Sequence, residues 1–203
     1  MNSLRAYLMQ GRIEAGCDEA GRGCLAGPVI AAAVILPPDW NHPLLQDSKK
    51  MTEEAREEVR LAILENAIAW KIGTCSPLEI DQINILQASI LAMHRALDQL
   101  ELVPDHILVD GNRFQNWNNV PSSCIIKGDG IYRSIAAASV IAKTHRDAIM
   151  KRLHEDFPQY AWNQNKGYPT AFHRRQVLSR GISAQHRITF KVSDPDLKKE
   201  IIY

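Results

Sequence analysis

Between Gly16 and Gly23 the chain reads Gly-Cys-Asp-Glu-Ala-Gly-Arg-Gly, which sets two adjacent carboxylates, Asp18 and Glu19, close to a glycine-flanked Arg22. Hard divalent cations take oxygen ligands and a guanidinium forks onto phosphate oxygens, so this set suits metal-assisted phosphate chemistry. Neighbouring side chains on an extended strand point to opposite faces, so the two acids share a site only if the backbone turns there. Gly21 and Gly23 permit such a turn. Taken alone, a cluster of this kind is more often the ion pair of a solvated turn. Two further acids weigh against that reading. Ile107-Leu108-Val109 is a short apolar run ending in Asp110, and Cys124-Ile125-Ile126 runs into Lys127-Gly128-Asp129-Gly130. In open α/β sheets, sites form at the carboxyl ends of strands, and three strands each delivering an acid there point to one oxygen-rich centre.

The elements that must position these acids follow from pattern. Residues 13–17 read as a strand whose end carries Asp18 and Glu19, and residues 29–36, lying between Gly27-Pro28 and Pro37-Pro38, as its hairpin partner. Gly21-x-Gly23-x-x-Ala26 also fits a dinucleotide-binding fingerprint, but that motif must open a helix, whereas Gly-Pro and a β-branched run follow here. Thr52 is the expected N-cap of a helix over 53–67, with Glu53 and Glu54 in its first turn. Lys49 and Lys50, just before it, read as a solvated pair or as phosphate contacts. Residues 69–75 form a third strand, and Ser76-Pro77-Leu78-Glu79 is a capping box. Ile83, Leu86, Ile90, Met93, Leu97 and Leu100 then recur along one face of a long helix, with His94 beside them as a packed or surface histidine. Residues 131–156 read as a helix whose Ala136-Ala137-Ala138-Ser139 stretch lets it lie close to the sheet. Asp147 within it is expected to pair with Arg146 or Lys151 rather than to face the site.

At 203 residues and 45% hydrophobic, the chain can bury a sizeable core. A formal charge of +1 makes no global case for nucleic acid, so any such case rests on where the cations sit. From Phe157 to Val192 there is no acid, while Lys166, Arg174, Arg175, Arg180, Arg187 and Lys191 accumulate among Tyr160, Trp162, Tyr168, Phe172 and Phe190. That is the footprint of a polyanion site, cations for phosphates and rings for sugars or bases. Cys17, Cys24, Cys75 and Cys124 include no C-x-x-C pair and read as reduced thiols, with neither disulfide nor structural zinc. No apolar run approaches the roughly 20 residues a membrane helix needs. With no secretory leader at the start, the expectation is a cytoplasmic protein with no membrane contact.

With Asp18-Glu19-Ala20-Gly21-Arg22-Gly23, Asp47-Ser48-Lys49-Lys50, Asp110-Gly111-Asn112, Lys127-Gly128-Asp129 and Lys166-Gly167-Tyr168 in this order, residues 13–190 resemble the bacterial ribonuclease HII family. The resemblance implies an α/β, RNase H-like fold, a mixed and largely parallel five-stranded sheet flanked by helices. Residues 1–203 would form one catalytic domain with a basic, helical C-terminal extension from about 157. The activity it implies is endonucleolytic: cutting the RNA of RNA/DNA hybrids, and cutting 5′ to a single ribonucleotide embedded in duplex DNA. Carried over position by position, Asp18, Glu19, Asp110 and Asp129 match the metal-binding acids. Gly21, Arg22 and Gly23 match the loop that reads the ribose 2′-hydroxyl, and Tyr168 the ring that packs on the following deoxyribose. Lys49, Ser139 and Lys143 match positions that hold phosphates, while Gly130 departs from the family, where a serine is common. The chemistry agrees, because two divalent ions about 3.5 to 4 Å apart activate water and neutralise a leaving oxygen. All-oxygen ligation points to Mg²⁺ or Mn²⁺ rather than zinc, with 3′-hydroxyl and 5′-phosphate ends as products. The expected partners are RNA/DNA hybrid and ribonucleotide-containing duplex DNA, bound by a monomer with no obligate protein partner and no sliding-clamp peptide in its tail. Two rivals stay open on the residues alone: another RNase H-like DNA nuclease of resolvase or exonuclease type, and a nucleic-acid-binding module without catalysis.

Overall fold

The computed structural model describes residues 4–194, which hold a five-stranded sheet covered by helices on both faces. Strands β1 (Glu14–Ala20), β2 (Val29–Ile35), β3 (Ala69–Cys75), β4 (His106–Asp110) and β5 (Ser122–Ile125) lie in the order β3-β2-β1-β4-β5. The Val-Ile-Ala-Ala-Ala-Val-Ile run of β2 is buried throughout, as a strand covered on both faces must be. It pairs antiparallel with β1, from Ala15 opposite Ile35 to Ala20 opposite Ile30, and antiparallel with β3. Strand β4 runs parallel to β1, and β5 parallel to β4. The sheet is therefore half antiparallel rather than largely parallel. Its first three strands follow one another as antiparallel neighbours, whereas β4 and β5 add on the other side of β1.

Three sequence expectations shift in the structure. Strand β1 continues through Ala20, so Asp18 and Glu19 lie inside a strand and not beyond its end. The long helix expected from residue 83 is two helices, α2 (Pro77–Ile83) and α3 (Ile85–Leu97). Asn84 breaks it: its backbone sits at φ 66, and its side chain accepts hydrogen bonds from the Leu86 and Gln87 amides, starting a new helix where the apolar period runs on. Leu100 lies past the end of α3 but still joins the core beneath it. Finally, β5 starts two residues before the apolar stretch that suggested it, because an edge strand pairing Ser122 and Ser123 with Ile107 and Leu108 carries no apolar signal of its own.

Alternation along the strands divides the core. Ala15, Cys17, Ala31 and Val109 face α3, while Ile30, Ala32 and Val34 face α1 (Glu53–Asn66) and α4 (Arg133–Asp156). Ala136, Ala137 and Ala138 are fully buried, and α4 comes so close to β1 that a Cβ at Gly16 would run into the Ser134 carbonyl. This close approach sets α4 directly over the strand that carries Asp18. Beyond α4, the short helices α5 (Trp162–Asn165) and α6 (Ala171–Arg180) are held by Tyr160, Trp162 and Val177, clustered with Met150 of α4 and with Ala26. The tail from residue 195, in which no clamp-binding peptide is expected, lies outside the described residues. All four cysteines are free thiols, and among the described residues no helix is long and apolar enough to cross a membrane.

Candidate active site

Asp18 points to the α4 side of the sheet and is 3% exposed. Its Oδ1 accepts the Glu19 amide hydrogen at 2.7 Å, and the nearby Ser139 hydroxyl of α4 favours the charged form of the carboxylate. Asp110 closes β4, and its Oδ1 accepts the Gly128 N–H at 2.7 Å, which ties it to the turn that carries Asp129. That turn, a short 3₁₀ segment over Gly128–Gly130, is set up by Lys127 in the left-handed region at φ 58. Asp18, Asp110 and Asp129 thereby offer carboxylate oxygens that all lie within 4.8 Å of one another.

Glu19 stands apart from this trio. Its carboxylate turns to Arg22, with Nη1 at 3.1 Å. Asp110 is still near enough to repel it, and burial raises its pKa against the pull of Arg22. Burial lifts Asp18 well above the usual carboxylate range, and the charges of Glu19 and Asp110 add to that. Asp129 is raised for the same reasons, burial first and then Asp110 and Asp47. Lys49 answers part of this crowding, its Nζ 4.0 Å from Asp129 Oδ2. Burial works against the Lys49 charge, but Asp18, Asp129, Asp47 and Asp110 outweigh it and raise its pKa.

Beside the acids opens a cleft of about 210 Å³, lined by Glu19, Gly21, Arg22, Gly23, Lys49, Ser139, Lys143 and Tyr168. Residues drawn from four separate stretches of sequence thus meet on one surface. The Tyr168 ring forms one wall, with Lys143 Nζ and Arg146 Cζ each 5.9 Å from its centroid. Ser139 is committed inside the protein, since its Oγ lies 2.9 Å from Ser48 Oγ. Lys143 bonds both Asp147 oxygens, at 2.6 and 2.7 Å. Asp147 accordingly pairs with neither Arg146 nor Lys151; Lys151 reaches Glu53 instead, and the i,i+4 spacing on α4 favours Lys143.

The basic tract is divided. Arg174 and Arg175 lie on α6, and Arg180 and Lys191 are exposed. Arg187, by contrast, is 2% exposed and donates to backbone carbonyls under the Gly21–Gly23 loop. Arg146 is equally buried and bonds the carbonyls of Ala26, Pro28 and Lys166. The sequence carried no sign of these two roles, because a charged residue whose donors all go to distant carbonyls leaves no local partner to read.

The donor set fits a hard cation. It consists of carboxylate oxygens with no imidazole among them, and Cys17, fully buried on the opposite face of β1, has its thiol pushed up by burial and stays protonated. Like charges crowded to this degree are relieved by a bound cation.

A family model described as Ribonuclease HII matches residues 15–193. A protein named ribonuclease HII from Bacteroides thetaiotaomicron is 58% identical over 189 residues, spanning 93% of this chain and 94% of its own length. Among solved structures, the ribonuclease H2 of Pyrococcus horikoshii OT3 is similar in fold, with a TM-score of 0.72 at 23% identity over 88% of this chain and 94% of that one. The RNase HII of Archaeoglobus fulgidus, solved in complex with PCNA, gives a TM-score of 0.71 at 26% identity over 89% of this chain and 96% of that one.

Proposed function

The chain belongs to the ribonuclease HII family, and from that premise we propose that it cuts the RNA strand of RNA/DNA hybrids and cuts 5′ to a lone ribonucleotide in duplex DNA, using two divalent ions. The observation that carries this reading is the convergence of Asp18, Asp110 and Asp129, whose oxygens lie within 4.8 Å of one another at the carboxyl edge of the sheet. These three acids, with Glu19 beside them, would hold Mg²⁺ or Mn²⁺. Such ions, when bound, supply an activated water and neutralise charge on the leaving oxygen.

The chain's own residues prepare that site. The Gly128 amide fixes the rotamer of Asp110, and the Glu19 amide holds one oxygen of Asp18. Arg22 holds Glu19 to one side. Lys49 and Lys143 bring positive charge to the cleft where a phosphate backbone would lie. Gly21 and Gly23 carry no side chains and that of Arg22 turns to Glu19, so backbone amides can meet a 2′-hydroxyl, the group by which a protein tells RNA from DNA. The Tyr168 ring then covers the next sugar and favours deoxyribose, where no hydroxyl has to be desolvated.

A duplex with one internal ribonucleotide, incubated with Mg²⁺ or Mn²⁺, tests the reading. The expected products are a 3′-hydroxyl fragment and a downstream fragment that keeps the ribonucleotide at its 5′-phosphate end. Cutting of long hybrids with none at the single ribonucleotide under either metal would refute the junction reading, and cutting of pure DNA would favour a different nuclease.

A further inference from the structure

Arg187 lies far along the chain from the Gly21–Gly23 loop, yet its side chain ends directly beneath it. Nη1 donates to the Arg22 carbonyl at 3.0 Å, while Nε and Nη2 donate to the Gly27 carbonyl at 3.1 and 2.9 Å. The Phe190 ring lies against the guanidinium, its centroid 5.0 Å from Cζ. No carboxylate lies within ion-pair distance among the described residues, and burial lowers the pKa of the group to about 10, which leaves it charged at neutral pH. A buried cation without a counter-ion is costly, and its cost is offset only where its hydrogen bonds are made.

Those bonds have a stereochemical consequence. All peptides among the described residues are trans, and in a trans peptide the carbonyl and the following N–H point in opposite directions. Drawing the Arg22 oxygen inward therefore turns the Gly23 N–H outward, on the side where Gly21, Arg22 and Gly23 line the cleft. Among the described residues the Gly23 N–H has no acceptor within the protein. Arg146 braces the loop from a second direction: it bonds Ala26, Pro28 and Lys166, and a Cβ at Gly21, where φ is +100, would run into its Nε.

We propose that Arg187 is a positioning residue for substrate choice: by pinning the Arg22 carbonyl it aims the Gly23 amide at the 2′-oxygen of the ribonucleotide. The proposal rests on the reading of the Gly21–Gly23 loop given above. Only a planar fork reaches two carbonyls at once, so lysine is no substitute, although it keeps the charge.

The test compares two duplexes that differ at one atom, the embedded nucleotide carrying a 2′-hydroxyl or a 2′-fluorine, since fluorine is a poor hydrogen-bond acceptor. In the parent chain the fluorine lowers kcat/KM by about tenfold or more, the effect of losing a well-aimed hydrogen bond. In Arg187→Lys the hydroxyl-to-fluorine ratio falls toward one, with the loss in kcat and little change in KM, which the phosphate contacts set. A merely structural role lowers both substrates equally and leaves the ratio intact, and that result overturns the proposal. Hydrogen exchange at the Gly23 amide gives a second measurement on the unaltered chain, independent of whether Arg187→Lys folds. Exchange is expected to be fast in the free protein and slowed by a ribonucleotide duplex held uncut with Ca²⁺. Slow exchange in the free protein means that the amide faces inward and also overturns the proposal. If the parent does not distinguish hydroxyl from fluorine, the reading of the loop itself has failed; if it does and Arg187→Lys keeps the ratio, only the role of Arg187 has.

Discussion

Asp110→Asn separates metal binding from folding at this site. The Asn side chain has the same shape, and its oxygen can still accept the Gly128 N–H that Asp110 now takes at 2.7 Å, so the turn bearing Asp129 should keep its place. What changes is charge. With an effective dielectric constant of about 20, two like unit charges about 5 Å apart repel by roughly 3 kcal/mol. Asp110 contributes to the raised pKa of both Asp18 and Asp129, so its neutralisation relieves both. Partial protonation and solvent reduce the gain, and in EDTA at pH 7 the variant should be more stable than the parent by on the order of 1 kcal/mol. With Mg²⁺ the balance reverses, because a neutral amide holds a divalent ion poorly. Losing about 4 kcal/mol of transition-state charge stabilisation corresponds to roughly a 10³-fold loss of cleavage. Thermal melts with EDTA or Mg²⁺, single-turnover cleavage of a duplex with one ribonucleotide, and duplex binding in Ca²⁺ measure these effects separately. Cleavage within tenfold of the parent would remove Asp110 from the site, and a variant less stable than the parent in EDTA would refute the charge-crowding argument.

Tyr168→Ala should lower cutting at a single ribonucleotide more than it lowers duplex binding, measured by cleavage and anisotropy side by side; equal losses would leave the ring with a binding role only. Replacing Arg174 and Arg175 of α6 with alanine should weaken binding about equally on different sequences and flatten its dependence on salt, and an unchanged slope would mean that they face away from the duplex. His186 is buried against His173, and its pKa is lowered to about 4, by burial first and then by the His173 charge. A base with a depressed folded pKa contributes stability above its ordinary value near 6.5 and loses it as pH falls toward 4, so about 2 kcal/mol should be lost between pH 6.5 and 5. Melting curves of His186→Asn should show a shallower fall over that window than the parent, and parallel curves would place the acid sensitivity elsewhere.

What was legible in the sequence was whatever has a local signature. Asp18, Glu19, Asp110 and Asp129 sit where apolar runs stop, and breakers such as Gly27-Pro28 and Pro37-Pro38 bound β2 within a residue. Periodicity could not register the break at Asn84, because one residue in the left-handed region changes the helix axis without changing the spacing of leucines and isoleucines. Nor could it show that Glu19 turns to Arg22 while Asp18 joins Asp110 and Asp129, since that division follows from β1 running straight through both acids.

The acid-free basic tract shows why counting charges misleads. A stretch without acids tells that its cations have no local carboxylate, but not whether backbone carbonyls have taken them. Arg187 is spent in this way on Arg22 and Gly27, and Lys166 turns its ammonium to the Asn163 carbonyl. A guanidinium that is 2% exposed cannot displace counter-ions from a phosphate, so Arg187 adds nothing to the salt dependence of binding even though it governs the loop in the cleft. Substituting it should therefore leave the salt slope unchanged and alter only discrimination at the 2′ position, the reverse of what Arg174 and Arg175 should do. The two substitutions thus probe different arginines of the same tract: Arg174 and Arg175 stand on α6, whereas the donors of Arg187 are taken by the protein's own carbonyls.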